Sequence, residues 1–244
     1  MKNYSYIGIS LVILIFGIIF IPKIVDRVTN DSVVESDRLN IQGVERNSAP
    51  AEELAYLEIN GERKKAPEFE LIDQNGDTIT NEDYLGKVYV AEFFFTTCPT
   101  ICPIMNGNLV EIQNEINNDK DFGIASFSID PTYDTPEILQ EYAEKYGITN
   151  PNWHLLTGDK EYIYELANSG FNIYAGEDES AAGGFAHQGM FALVDQEGYI
   201  RSRRDAFGNP IIFYRGYVER NKSVAEGEET PEINILIEDI KNLL

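Results

Sequence analysis

Cysteine is nearly absent from this chain: 244 residues contain two, Cys98 and Cys102. One pair cannot staple a disulfide scaffold, so stability has to come from an apolar core, which 43% hydrophobic and 11% aromatic residues can supply. Basic residues are scarce as well, 19 Lys and Arg against 41 Asp and Glu, for a formal net charge of −22. Such a surface repels phosphate backbones, which excludes nucleic acid as a partner; a solvated, self-repelling exterior accounts for the acidity. An Arg-rich, acid-poor transit segment is lacking, which favours a bacterial setting over an organellar one. No internal repeat is present.

Long apolar runs are also rare, and the one that stands out opens the chain. Residues 7–21 are apolar apart from Gly8, Ser10 and Gly17. The wider stretch 4–25 would span roughly 33 Å as a helix, enough for a bilayer core. No small-x-small cleavage site follows, and residues 1–28 hold no cysteine for lipid attachment, so an uncleaved single-pass anchor is expected there. Residues 29–63 are acidic and poorly periodic and read as a flexible tether, with a short strand near 55–59. A folded domain is expected over 64–244.

That domain is organised around FFFTTCPTICP at 93–103. An apolar run, a turn and a proline-started helix read as a buried strand feeding a helix, with Cys98 at the N-cap and Pro99 in the first position. Cys102 follows four residues later, so both sulfurs share one helical face, and the helix N-terminus favours thiolate, most strongly at Cys98. Upstream, alternation around Asn75-Gly76 predicts a hairpin, and 81–86 a helical turn. Downstream, the pattern predicts a helix over 98 to about 118, a strand at 122–129, a helix from Thr135-Pro136 to Gly147, and a strand at 152–156. It continues with a helix from Asp159 to Gly170, a hairpin turning at Glu197-Gly198, and a last helix after Thr230-Pro231. Strands alternating with helices, then a closing hairpin and helix, imply an α/β layered domain with a mixed sheet.

CPTICP at 98–103, IDPTYDTPE at 129–137, WHLLTG at 153–158 and a lone His187 shortly before a strand resemble the Sco/SenC family over roughly residues 66–244. The resemblance implies a thioredoxin-like fold with an N-terminal β-hairpin extension, carried on a membrane anchor. It implies copper as the metal, held by Cys98, Cys102 and His187, and delivery to the di-copper CuA centre of cytochrome c oxidase subunit II. The location implied is the bacterial cytoplasmic membrane, with the globular domain on the extracytoplasmic side. Where the family commonly places an Asp before its histidine, this chain has Ala186, and 205–216 (DAFGNPIIFYRG) matches nothing associated with the family core.

The residues can be weighed independently of that likeness. Two thiolates and an imidazole suit copper or zinc, and no further Cys or nearby second His completes a closed zinc tetrahedron. An open three-ligand site suits an ion that must be handed on. The rival is a membrane-tethered thiol-disulfide oxidoreductase using Cys98 and Cys102 to keep partner cysteines reduced. Three residues between the cysteines, and a histidine where a docking proline would sit, favour metal. A peroxidase reading lacks an Arg beside the thiolate. His154, between Trp153 and Leu155, reads as structural, and Met105 and Met190 as core. Asp134 is expected to support the helix start, and Asp130 either to lie behind the site or to be solvated. Arg201, Arg203 and Arg204 are expected on an exposed strand face.

Overall fold

The computed structural model describes residues 54–116, 120–205, 207–223 and 228–244, together with Leu14, Phe16 and Phe20. The expected anchor at 1–28, those three helical positions aside, and the expected tether up to residue 53 lie outside the described residues. No helix among the described residues is long and apolar enough to cross a membrane. The chain divides into two units, Met1–Pro50 and Ala51–Leu244, and the strands and helices from residue 54 onward belong to the second.

Residues 54–63, assigned from sequence to the end of the tether, take part in the fold. Strand β1 (Ala55–Tyr56) joins the main sheet, and β2 (Glu58–Ile59) and β3 (Glu62–Arg63) form a small hairpin. The hairpin expected around Asn75-Gly76 is β4 (Glu70–Ile72) with β5 (Thr78–Thr80). Gly76 sits at φ 83°, the left-handed region such a turn requires. A short 3-10 turn, Asn81–Tyr84, leads into β6 (Val88–Phe94), whose seven residues are all buried. A strand covered on both faces cannot alternate, which is why this one is apolar at every position but Glu92.

Helix α1 (Cys102–Ile116) begins one turn later than the sequence predicts. Pro103 has no N–H to donate back to Pro99, so a helix started at Cys98 would lose that bond; starting at Cys102 puts Pro103 in the first turn, where none is needed. Met105, Leu109, Ile112 and Ile116 form its buried stripe. Strand β7 (Phe122–Ser128) and helix α2 (Pro136–Tyr146) follow, the helix closed by Gly147 at φ 70°. Strand β8 (Trp153–Leu156) precedes helix α3 (Lys160–Glu165), capped by Asp159 accepting from the Tyr162 N–H and continued by a π-helical turn, Leu166–Phe171.

A hairpin absent from the sequence reading comes next, β9 (Ala175–Glu177) with β10 (Phe185–His187). Then come β11 (Met190–Val194), β12 (Ile200–Ser202), β13 (Tyr214–Arg215) and helix α4 (Ile233–Leu243). The main sheet runs β1-β12-β11-β6-β7-β8, with β13 also on β11. Pairings are parallel among β6, β7 and β8 and antiparallel elsewhere, the mixed α/β sheet expected. Phe93 and Phe127 stack at 5.1 Å, with Phe69 edge-on to Phe127 at 5.2 Å. Phe94, on the opposite face, packs against Tyr142 of α2 at 5.5 Å, so the strand that delivers Cys98 is pinned on both faces.

Candidate metal centre

The chain leaves β6 at Phe95 and turns through Thr96 and Thr97 to Cys98. Asp134, fully buried, fixes that turn: its carboxylate accepts from the Thr96 N–H at 3.1 Å and from the Thr96 and Ser128 hydroxyls. Asp134 therefore braces the cysteine loop. It does not cap α2, whose N-cap is Thr135. Cys98 is 7% exposed, and Cys102, the first residue of α1, is 0% exposed. The Cys102 N–H points at Cys98 Sγ across 3.5 Å, and the Thr100 hydroxyl lies 3.6 Å from the same sulfur.

His187 arrives from a separate hairpin, outside the main sheet. It ends β10, opposite Ala175 in the hairpin register. Phe185 packs on Phe95 at 5.1 Å, and the His187 ring meets Phe95 edge-on at 5.9 Å. Gly183, at φ 88°, lies so near Phe95 and Pro99 that a Cβ would come within 2.8 Å of the phenyl ring. Beyond the histidine, Gln188 bonds the Tyr174 backbone through both its own N–H (3.0 Å) and its Oε1 (3.2 Å). His187 Nε2 is thereby set 3.2 Å from Cys102 Sγ. The two sulfurs and a ring nitrogen all lie within 4.8 Å of one another, and among the described residues no other His, Cys, Asp or Glu joins them.

The two thiols are not equivalent. Cys98 is drawn down to about 3, chiefly because the Cys102 thiol donates to it, against the effect of burial and with help from His187. Burial pushes Cys102 far up, and the adjacent Cys98 charge adds to that. The metal-free pair is a thiolate accepting from a thiol. The sequence predicts the same order from the helix dipole, but Cys98 lies ahead of the helix and its neighbour's S–H is the larger cause. A soft cation replacing that shared proton would meet two sulfurs and an imidazole, a donor set that fits copper or zinc. His187 Nδ1 is buried without a hydrogen-bond partner among the described residues, so the ring is aimed through Nε2 and packed by Phe95.

A protein-family model described as SCO1/SenC matches residues 58–218. The chain belongs to that family. The SCO1 protein homolog of Bacillus subtilis is 34% identical over 138 residues, 54% of this chain and 69% of that protein. A SCO1/SenC family lipoprotein from Bacillus anthracis has a crystal structure that superposes at TM-score 0.60 with 30% identity, over 74% of this chain and 95% of that one. BsSco, described as a member of the Sco family of cytochrome c oxidase assembly proteins with a disulfide switch, superposes at TM-score 0.58 with 28% identity, over 74% and 93% of the two chains. The fold is accordingly the thioredoxin-like one of Sco proteins. The family match also runs through 205–216, the stretch without a counterpart in the sequence reading.

Other predicted residues fall away from the centre. His154 donates from Nδ1 to the Asp73 carboxylate (2.9 Å), a structural role as expected. Met105 is core, and Met190 is half-buried at the start of β11. Asp130 is half-buried, and its backbone carbonyl takes the Tyr133 and Asp134 N–H groups. The arginines do not form an exposed face. Arg201 is buried and paired with Asp195 at 2.7 Å, and Arg203 holds Asp239 and Glu238 on α4; Arg204 alone is exposed. The role of Asp134 at the cysteine turn and the burial of Glu92 within β6 both escaped the sequence reading. The DPTYD spacing hinted at the first, and nothing local marked the second.

Proposed function

We propose that this chain binds one copper ion through Cys98, Cys102 and His187 and delivers it to the CuA centre of cytochrome c oxidase subunit II. The observation that carries the reading is the convergence of three soft or borderline donors from two separate elements to within 4.8 Å. Thiolate and imidazole together select Cu(I) over the hard cations, and an unfilled fourth position leaves room for a recipient's ligand during transfer. Cys102, fully buried, is the anchor; Cys98 and half-buried His187 form the side from which the ion leaves. Residues 1–28 anchor the protein in the cytoplasmic membrane, with the folded unit on the extracytoplasmic side, where residues 29–53 give it reach toward a membrane-bound acceptor.

The test is anaerobic Cu(I) titration of the full chain against a chromophoric chelator, beside Cys98→Ala and His187→Ala. One equivalent should bind tightly to the wild type and weakly to each variant; undiminished binding in either variant removes the assignment. Parallel titration with zinc separates the two metals.

A second reading has one observation in its favour. The thiolate–thiol pair at Cys98 and Cys102 is the arrangement a dithiol reductant uses to attack a partner disulfide. Under it, disulfide-reducing activity survives His187→Ala and is lost with either cysteine. Equal dependence on all three residues counts against it.

A further inference from the structure

The stretch at 205–216 has no part in the chemistry so far, yet the strap that continues it ends against the loop carrying His187. The carbonyl of Gly189, two residues past the histidine, accepts from the Gly216 N–H at 2.7 Å. Met190 and Phe191 pair with Arg215 and Tyr214. A Cβ on Gly189 would stand 2.8 Å from Tyr217 Cβ and 3.2 Å from Ile101 Cδ1. The backbone at 189 is therefore clasped between the strap and the residue preceding Cys102. A Cβ on Gly216 would lie 2.6 Å from the Phe191 ring, so the strap lies flat on β11.

What holds the strap is Asn108, on the same helix as Cys102 and 3% exposed. Its Nδ2 donates to the carbonyls of Gly216 (2.8 Å) and Val218 (2.9 Å), and its Oδ1 accepts from the Arg220 N–H at 3.1 Å. All three bonds of this buried amide go to one segment of backbone. The Arg220 side chain closes the far end on Asn234, Glu111 and Glu115. The Cys102 helix and the His187 loop are thus joined through Asn108, residues 216–220 and Gly189.

We propose that Asn108 is a positioning residue for the metal centre: by tying the strap to the Cys102 helix it sets the height of the His187 ring over the Cys102 sulfur. A metal–imidazole bond is about 2.0 Å long and tolerates little displacement, and residues that only orient a ligand commonly alter metal affinity 10–100-fold. The proposal rests on Cys98, Cys102 and His187 being the donors.

Asn108→Asp keeps the side chain's size and its acceptor for Arg220, but turns a carboxylate oxygen toward two carbonyls. The experiment is a double-mutant cycle on the full chain: wild type, Asn108→Asp, His187→Ala and the double variant, with Cu(I) affinity read by chelator competition and folding by circular dichroism. Asn108→Asp is expected to weaken binding by roughly tenfold or more, and to add nothing once His187 is gone. In metal-free protein the ring-proton resonances of His187 should move in Asn108→Asp while those of His154 stay. Equal loss in both backgrounds, or no loss in a folded Asn108→Asp, overturns the proposal. A His187→Ala variant that binds as well as wild type overturns the donor assignment itself, a distinct failure. If Asn108→Asp does not fold, Asn108→Ser enters the same cycle; unfolding of both makes Asn108 a plain structural residue and also overturns the proposal.

Discussion

Glu92 lies in the middle of β6, fully buried beneath the layer that carries the cysteine helix. The Ser126 hydroxyl donates to its Oε1 at 2.8 Å and is itself held by the Trp153 indole N–H at 3.1 Å, while Oε2 has no partner among the described residues. Burial lifts the carboxyl from 4.5 to about 8, with the Ser126 bond opposing. Between these values the unfolded chain has released a proton that the folded chain keeps, so stability falls as pH rises. The contribution is fully present below about pH 4.5 and gone above about pH 8. At 1.36 kcal/mol per pH unit, that window integrates to about 5 kcal/mol. Glu92→Gln has nearly the same shape and no charge to titrate. Urea unfolding of both proteins, metal-free and reduced, at intervals from pH 5 to 8 isolates the effect, because every other titration is shared and cancels in the difference. The variant should gain on the wild type by about 1.4 kcal/mol for each unit of pH. A difference that stays flat over that range would mean that Glu92 is not a neutral acid in the folded state. The matter bears on the centre, since a negative Glu92 raises the Cys102 thiol further.

Asp134→Ala removes the brace on the turn before Cys98, and should weaken Cu(I) binding roughly tenfold while α2, which starts after Thr135 at Pro136, is retained by circular dichroism. Arg201→Ala leaves Asp195 buried without its partner and should cost about 3–5 kcal/mol in urea unfolding; exposed Arg204→Ala should stay within about 0.5 kcal/mol. Burial works to raise the Asp73 carboxyl, but donation from His154 and from the Asp77 and Asn75 N–H groups outweighs it and holds the group below its usual 3.8. Its contribution is therefore present above about pH 3.8 and lost as pH falls through the lower folded value. Acid titration followed by circular dichroism should show Asp73→Asn losing less stability than wild type in that range.

Where structure follows from neighbours in the chain, the sequence was a sound guide. The apolar run at 93–95 just before the cysteines marked the end of a buried strand, and Asn75-Gly76, Gly147 and Thr135-Pro136 mark turn, stop and start through backbone constraints of their own. The start of α1 was misplaced by one turn because two prolines competed for the role, and the missing N–H of Pro103 decides between them. The β9–β10 hairpin was not visible: its two strands are three residues each and carry no apolar run, and they are held by Phe95, Pro99 and Tyr174 rather than by any pattern of their own. The arginines at 201 and 203 read as a surface cluster because their acidic partners, Asp195 and Asp239, are set opposite them only by the folding of β11, β12 and α4.

Local chemistry alone therefore determined that two thiols stand four residues apart at the mouth of a buried strand, and that the domain is a mixed α/β layer. Composition alone argued against nucleic acid. Only the tertiary structure decided that His187, 85 residues further on, comes to 3.2 Å from Cys102, and that Asp134 and Asn108 hold the two sides of that meeting. Short-range signals act through a few backbone bonds. A centre assembled from distant segments depends on close-packed contacts that exist only once the whole sheet has closed.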